Sequence, residues 1–163
     1  QLWINLPAAE KGAAPRYRDL PAEALGTAAG AGFRARALAG AWTLGEQRVE
    51  GPLTEIALRA AIADLVLEPE AAVTVAAEPG ETLLAYVYEG ALAGEDRPVR
   101  VRELLVLGPG DHWRCRAGAA GASVLLLRGR PIREPVVAWG PFVMNRREEI
   151  EEAIEDYRTG RLG

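Results

Sequence analysis

Between residues 33 and 127 the chain repeats one pattern, a short apolar segment closed by a turn. The candidate strands span residues 34–38, 62–67, 72–76, 83–88, 99–107, 113–117 and 123–127. Between them stand Glu-Gly-Pro at 50–52, Glu-Pro-Gly-Glu at 78–81, Ala-Gly-Glu-Asp at 93–96 and Gly-Pro-Gly-Asp at 108–111. Many short strands with Gly and Pro punctuation predict a β-sandwich or barrel. Val99, Val101 and Leu105 alternate with Arg100 and Arg102, as expected where one face of a strand meets solvent. Residues 40–61 are longer and less patterned than the rest of this region.

The two ends differ from the middle. Residues 1–6 are an apolar run stopped by Pro7, which predicts a strand. Residues 7–32 mix Pro7, Pro15 and Pro21 with Gly12, Gly26, Gly30, Gly32 and many alanines, which predicts an extended connector. At the other end Asn145 stands three residues before Glu148, a capping-box spacing. Ile150, Ile154 and Tyr157 then form one helical stripe, and Gly160 supplies a stop. The expected division is 1–32 strand and connector, 33–144 barrel, and 145–163 helix and tail. The first residue is Gln1 and the only methionine is Met144, so the chain is expected to be a part or a processed form of a longer protein.

Counting residues excludes several chemistries. Cys115 is the only cysteine, so no disulfide forms within one chain, and this favours a reducing compartment. His112 is the only histidine and cannot supply a site built on two or three imidazoles. On a strand His112 and Cys115 would point to opposite faces, which disfavours a thiolate–imidazole pair. Ser123 is the only serine and is not on a Gly-x-Ser-x-Gly elbow. Glu78 and Glu81 flank a turn, and Glu89 and Glu103 end or line strands; all four are expected at a solvated surface. Segments 108–111 and 118–121 are Gly-rich but lack the Gly-Lys-Ser/Thr ending of a phosphate loop and read as turns. The net charge is −4, and Arg100, Arg102, Arg114 and Arg116 lack interleaved aromatics, so neither nucleic acid nor a membrane surface is an expected partner.

Three stretches carry a resemblance. They are Gly-Arg-Pro-Ile-Arg-Glu-Pro-Val at 129–136 with Gly-Pro-Phe-Val-Met-Asn at 140–145, followed by Glu148, Glu149, Ile150, Ala153, Ile154, Asp156, Tyr157, Gly160, Arg161 and Gly163; residues 1–7 with Pro15, Arg16 and Tyr17; and residues 67–90, 107–111 and 124–129. The first is similar to the C-terminal signature of the pirin family, the second to its inter-domain crossing, and the third to a cupin barrel. The resemblance implies an all-β fold, a cupin jelly-roll barrel or sandwich with a C-terminal α-helix. It also implies a bicupin whose iron is held by an N-terminal cupin outside this chain, on a His-x-His pair with a later His and Glu. No catalytic, cofactor-binding or metal-binding residue is therefore assigned here.

Three functional expectations follow. The first is a metal-free structural and protein-interaction module in the cytoplasm, packed on the N-terminal cupin and available to a regulatory protein or metabolic enzyme. The second is part of an iron-dependent quercetin 2,3-dioxygenase. The third is a barrel with a small-ligand pocket lined by Trp113, Trp139 and Phe142, although such residues are more often core.

Overall fold

The computed structural model describes residues 2–161. Contacts divide the chain into two compact units, Leu20–Pro131 and a second built from Gln1–Asp19 with Ile132–Gly163.

The first unit holds ten strands: β1 (Gly26–Gly30), β2 (Phe33–Ala39), β3 (Ala41–Leu44), β4 (Gln47–Glu50), β5 (Ala61–Leu67), β6 (Ala72–Ala76), β7 (Thr82–Leu92), β8 (Val99–Arg100), β9 (Leu104–Val106) and β10 (His112–Gly129). All strand pairs are antiparallel. The order β1-β2-β5-β10-β6-β3-β4, with β7 also on β10, bends into a nearly closed barrel. The alternation of side chains dictates the core. Along β5, Ala61, Ala63, Leu65 and Leu67 point inward, and they meet Val73 and Val75 of β6, Leu83, Ala85 and Val87 of β7, and Trp42 and Leu44 of β3.

Strand β10 differs from its sequence reading. Residues 113–117 and 123–127 are not two strands but one, and 118–121 is not a turn. Those four residues are an irregularity in the ladder, because Ala117 faces Leu92 while Ala122 faces Gly90. The first half of β10 pairs with β6 and the second with β5 and β7, so the irregularity lets one strand serve both sheets. Glycine is required here. Gly90 and Gly121 have φ of +68° and +81°, and a Cβ on Gly90 would lie 2.2 Å from the Gly121 carbonyl oxygen.

Three further expectations are corrected. Residues 7–32 are not all connector, because β1 lies in them and pairs with β2 along its length. Residues 40–61 contain the β3–β4 hairpin. Residues 99–107 are two short strands, since Arg102 adopts a left-handed φ of 70° and turns the chain between β8 and β9, which ends the Val/Arg alternation.

In the second unit, β11 (Val137–Trp139) and β12 (Phe142–Met144) form a hairpin against α1 (Arg147–Thr159). Of residues 1–6, expected as a strand, residues 2–6 have no ladder partner among the described residues and form none; Gln1 lies outside them. This segment is instead tied down by Lys11, whose Nζ donates to Asn5 Oδ1 and to the Val143 carbonyl at 2.6 and 2.8 Å. The helix cap sits one residue later than expected. Arg146 is the cap, and the Glu149 carboxylate accepts the backbone N–H of both Asn145 and Arg146 at 3.0 Å. The Asn145 side chain donates to Glu134 and to the Pro135 carbonyl instead. Gly160 closes the helix in the left-handed conformation, as expected. Ile150 and Ala153 are buried, whereas Tyr157 is exposed and meets the Phe142 ring edge-on at 6.3 Å.

Candidate functional site in the barrel unit

A barrel can place chemistry on its inner wall, at its ends or on its outer face. The inner wall is apolar. Val73 and Val75 on β6, Cys115 and Ala117 on β10, Trp42 and Leu44 on β3, and Leu65 on β5 are all buried. Iron does not fit this wall, because neither branched aliphatic side chains nor an indole ring offers it a donor. Cys115 offers no thiolate: burial pushes its thiol up to about 12. His112 lies on the opposite face of β10, exposed and bonded through Nδ1 to Asp111. That hydrogen bond, helped by the imidazole charge, holds the Asp111 carboxyl below its ordinary range. Among the described residues, no cluster of three or more His, Cys, Asp or Glu is placed to hold a metal ion.

One end of the barrel carries a buried charge pair. Arg128 follows the inward parity of Val124 and Leu126 on β10, so its stem enters the barrel. Its guanidinium stacks on the Trp42 ring, 5.0 Å from the centroid, and donates to the carbonyls of Ala41 at 2.7 Å and Ala76 at 3.5 Å. Glu81 completes the cluster with its side chain only 2% exposed. This corrects the expectation that Glu81 is a solvated acid. Arg128 Nε and Glu81 Oε2 stand 3.0 Å apart but lack hydrogen-bond alignment, so the contact is an ion pair in which both atoms keep an unused hydrogen-bonding site. A pocket of about 430 Å3 opens beside it, edged by Arg48, Arg59, Glu50 and Glu78. Its lining includes strained backbone at Arg59, which has a left-handed φ of 52°.

The other candidate residues scatter. Glu78 makes only a loose 4.0 Å contact with Arg59. Glu103 is gripped by Arg97 and by the Arg100 backbone N–H, and the Arg97 hydrogen bond is the main reason its carboxyl titrates low. Arg114 and Arg116 are exposed, and Arg116 pairs with Glu70 at 2.6 Å. Ser123 is buried and donates to Glu89 at 3.0 Å, so the structure does bring these two candidates together. Trp113 packs against the barrel core, while Trp139 and Phe142 belong to the β11–β12 hairpin of the second unit. The Arg128–Glu81–Trp42 cluster was missed, although inward parity at Arg128 and a nearby acid in a Pro-Gly turn were both visible in the sequence.

Comparison with known proteins agrees with this architecture. Residues 62–163 match the model of the pirin C-terminal cupin domain. A Pseudomonas aeruginosa protein provisionally named a quercetin 2,3-dioxygenase is 39% identical over 166 residues, which covers 99% of this chain and 58% of the relative. Pirin-1 of Arabidopsis thaliana is 31% identical over 170 residues, 100% of this chain and 57% of its own. A crystal structure of quercetin 2,3-dioxygenase from Acinetobacter baumannii superposes with a TM-score of 0.87 at 27% identity, covering 99% of this chain and 55% of that one. The chain thus spans somewhat over half the length of the relatives it matches.

Proposed function

Because this chain belongs to the pirin family, we propose that it is the metal-free structural and interaction half of a bicupin. It would act beside an iron-binding N-terminal cupin and offer a surface to a regulatory protein or metabolic enzyme. The observation that carries this reading is the apolar inner wall: Trp42, Val73, Val75 and Cys115 are buried there, and no set of imidazole or carboxylate ligands stands among them. A supporting observation is the apolar exposure of the second unit, where Trp3, Val136 and Trp139 are open. Among the described residues no helix is long and apolar enough to cross a membrane. A cytoplasmic setting is part of the proposal, and the single free cysteine favours it.

The second reading is favoured by the names of the relatives: the whole protein would be a quercetin 2,3-dioxygenase in which this half shapes the site. One experiment tests whether this half carries iron and oxygen chemistry of its own. Anaerobic loading with iron(II), followed by metal analysis and oxygen uptake with quercetin, should give neither stoichiometric iron nor consumption of oxygen. One iron per chain with quercetin-dependent uptake would overturn the proposal.

A further inference from the structure

On its outer face the barrel unit carries a second feature, independent of the iron question. A groove of about 480 Å3 runs across β1, β2, β5, β10 and β7, within the size range of small-molecule sites. Arg34 and Arg36 stand on one side of it, Asp64 in the middle, and Tyr88, Glu89 and Ser123 on the other.

The groove depends on a bulge. Ser123 pairs with Glu89, but the next residue of β10, Val124, pairs with Val87, so Tyr88 is an extra residue without a partner. A bulge upsets strict alternation and re-aims side chains. Here consecutive residues Tyr88 and Glu89 both line the groove. The Tyr88 hydroxyl donates to Asp64 Oδ1 at 2.5 Å, and the buried Ser123 hydroxyl donates to Glu89 Oε2 at 3.0 Å. Burial, followed by the hydrogen bond to Asp64, pushes the Tyr88 phenol up to about 12, so it stays a donor at neutral pH.

The consequence appears on the other side. Asp64 lies directly opposite Arg36 in the β2–β5 register, where opposite charges normally pair across strands. It bonds Tyr88 instead. Arg34 and Arg36 are two residues apart on one strand, on the same face at about 7 Å spacing. Among the described residues the side chain of neither makes an ion pair or hydrogen bond. Two open guanidinia at this spacing suit one carboxylate. Across the groove, one oxygen of Asp64 and one of Glu89 accept the hydroxyl bonds, and each carboxylate retains acceptor capacity for an ammonium group.

We propose that this groove binds a zwitterionic small molecule of the amino-acid class, its carboxylate on Arg34 and Arg36 and its ammonium group on Asp64 and Glu89. Free amino acids, from glycine to arginine, are titrated one at a time into the 163-residue chain by calorimetry, with sodium propionate and n-propylamine as half-ligand controls. At least one amino acid should bind saturably, and both controls should bind about tenfold more weakly or not at all, because each engages one side only. Arg34→Gln with Arg36→Gln should weaken binding about tenfold or more while leaving the melting temperature unchanged, since both side chains are exposed. Glu89→Gln, which keeps the side-chain shape, should weaken the amino acid but not propionate. Absence of binding by every amino acid, equal affinity for propionate, or full affinity in the folded double variant would overturn the proposal.

Discussion

The two compact units divide their apolar residues in opposite ways. The barrel unit turns them inward: Trp42, Leu44, Leu65, Val75, Val87, Val124 and Leu126 are fully buried. Among the described residues of the second unit the buried hydrophobic ones are Ile150 and Ala153 of α1, while Trp3, Trp139 and Tyr157 are 64%, 62% and 70% exposed. The barrel can therefore hold itself together, because each large buried side chain contributes about 1.5–3 kcal/mol of transfer free energy. The second unit has little core, and its folded form rests more on polar ties such as Lys11 to Val143 and Asn145 to Glu134. An apolar surface on so small a core is the pattern expected of a part that meets a partner.

The largest expected effects test the barrel side. Trp42→Ala removes the biggest core side chain and the ring beneath Arg128, and should cost about 3–5 kcal/mol in urea denaturation. A loss below about 1 kcal/mol would mean that the core collapses around the gap, and that the barrel is less tightly specified than its burial suggests. Arg128→Met should cost about 3 kcal/mol, because it strands a buried Glu81 carboxylate. Adding Glu81→Leu should recover most of that loss, since replacing both members of a buried pair with apolar groups is often close to neutral. If the double variant were as unstable as the single one, the carbonyl bonds of Arg128 rather than its charge pair would be what closes the barrel.

The barrel was the more legible of the units for a physical reason. Strands 62–67 and 72–76 read well because their apolar residues alternate or cluster between clear turns, and the structure places β5 and β6 within one residue of those bounds. Strand β1 did not read, because Gly-Thr-Ala-Ala-Gly has no apolar pattern; its pairing with β2 comes from tertiary context. The joining of β10 also needed context, since Gly-Ala-Ala-Gly at 118–121 looks like a turn until two sheets are known to share the strand. For the groove, the sequence showed Ser123 and Glu89 but not their meeting, and Tyr88 was invisible as a site residue because a bulge leaves no local signature.

Two smaller effects sharpen the contrast. Cys115 should resist a thiol reagent at pH 8 in the folded barrel and react only as fast as the protein unfolds, because burial keeps it protonated far above that pH. Rapid labelling of folded protein would show that the barrel opens locally near β10. In the second unit, Trp139→Ser should leave the unfolding midpoint nearly unchanged while reducing binding of a hydrophobic dye. A drop in stability as large as that of a barrel substitution would mean that this tryptophan is core and not interface.

The smallest expected effect concerns how the helix of the second unit begins. Glu149 is held below the usual carboxylate range first by the backbone N–H of Asn145, then by that of Arg146, with the Arg146 charge adding to it. A carboxyl with a depressed folded value binds protons less readily when folded than when unfolded. Its contribution is therefore fully present above the unfolded value near 4.5 and is lost as the pH falls through the lower folded value. The native protein should lose stability on acidification through this range more steeply than Glu149→Gln, and the two should converge at the acid end. At pH 7 the variant should show a frayed first turn of α1, seen as faster amide exchange near Arg146 and Arg147, with the barrel amides unchanged. Parallel acid profiles would mean that the helix start is fixed by the Gly140 turn and the hairpin, not by this carboxylate. The second unit would then depend on packing more than its exposed surface implies.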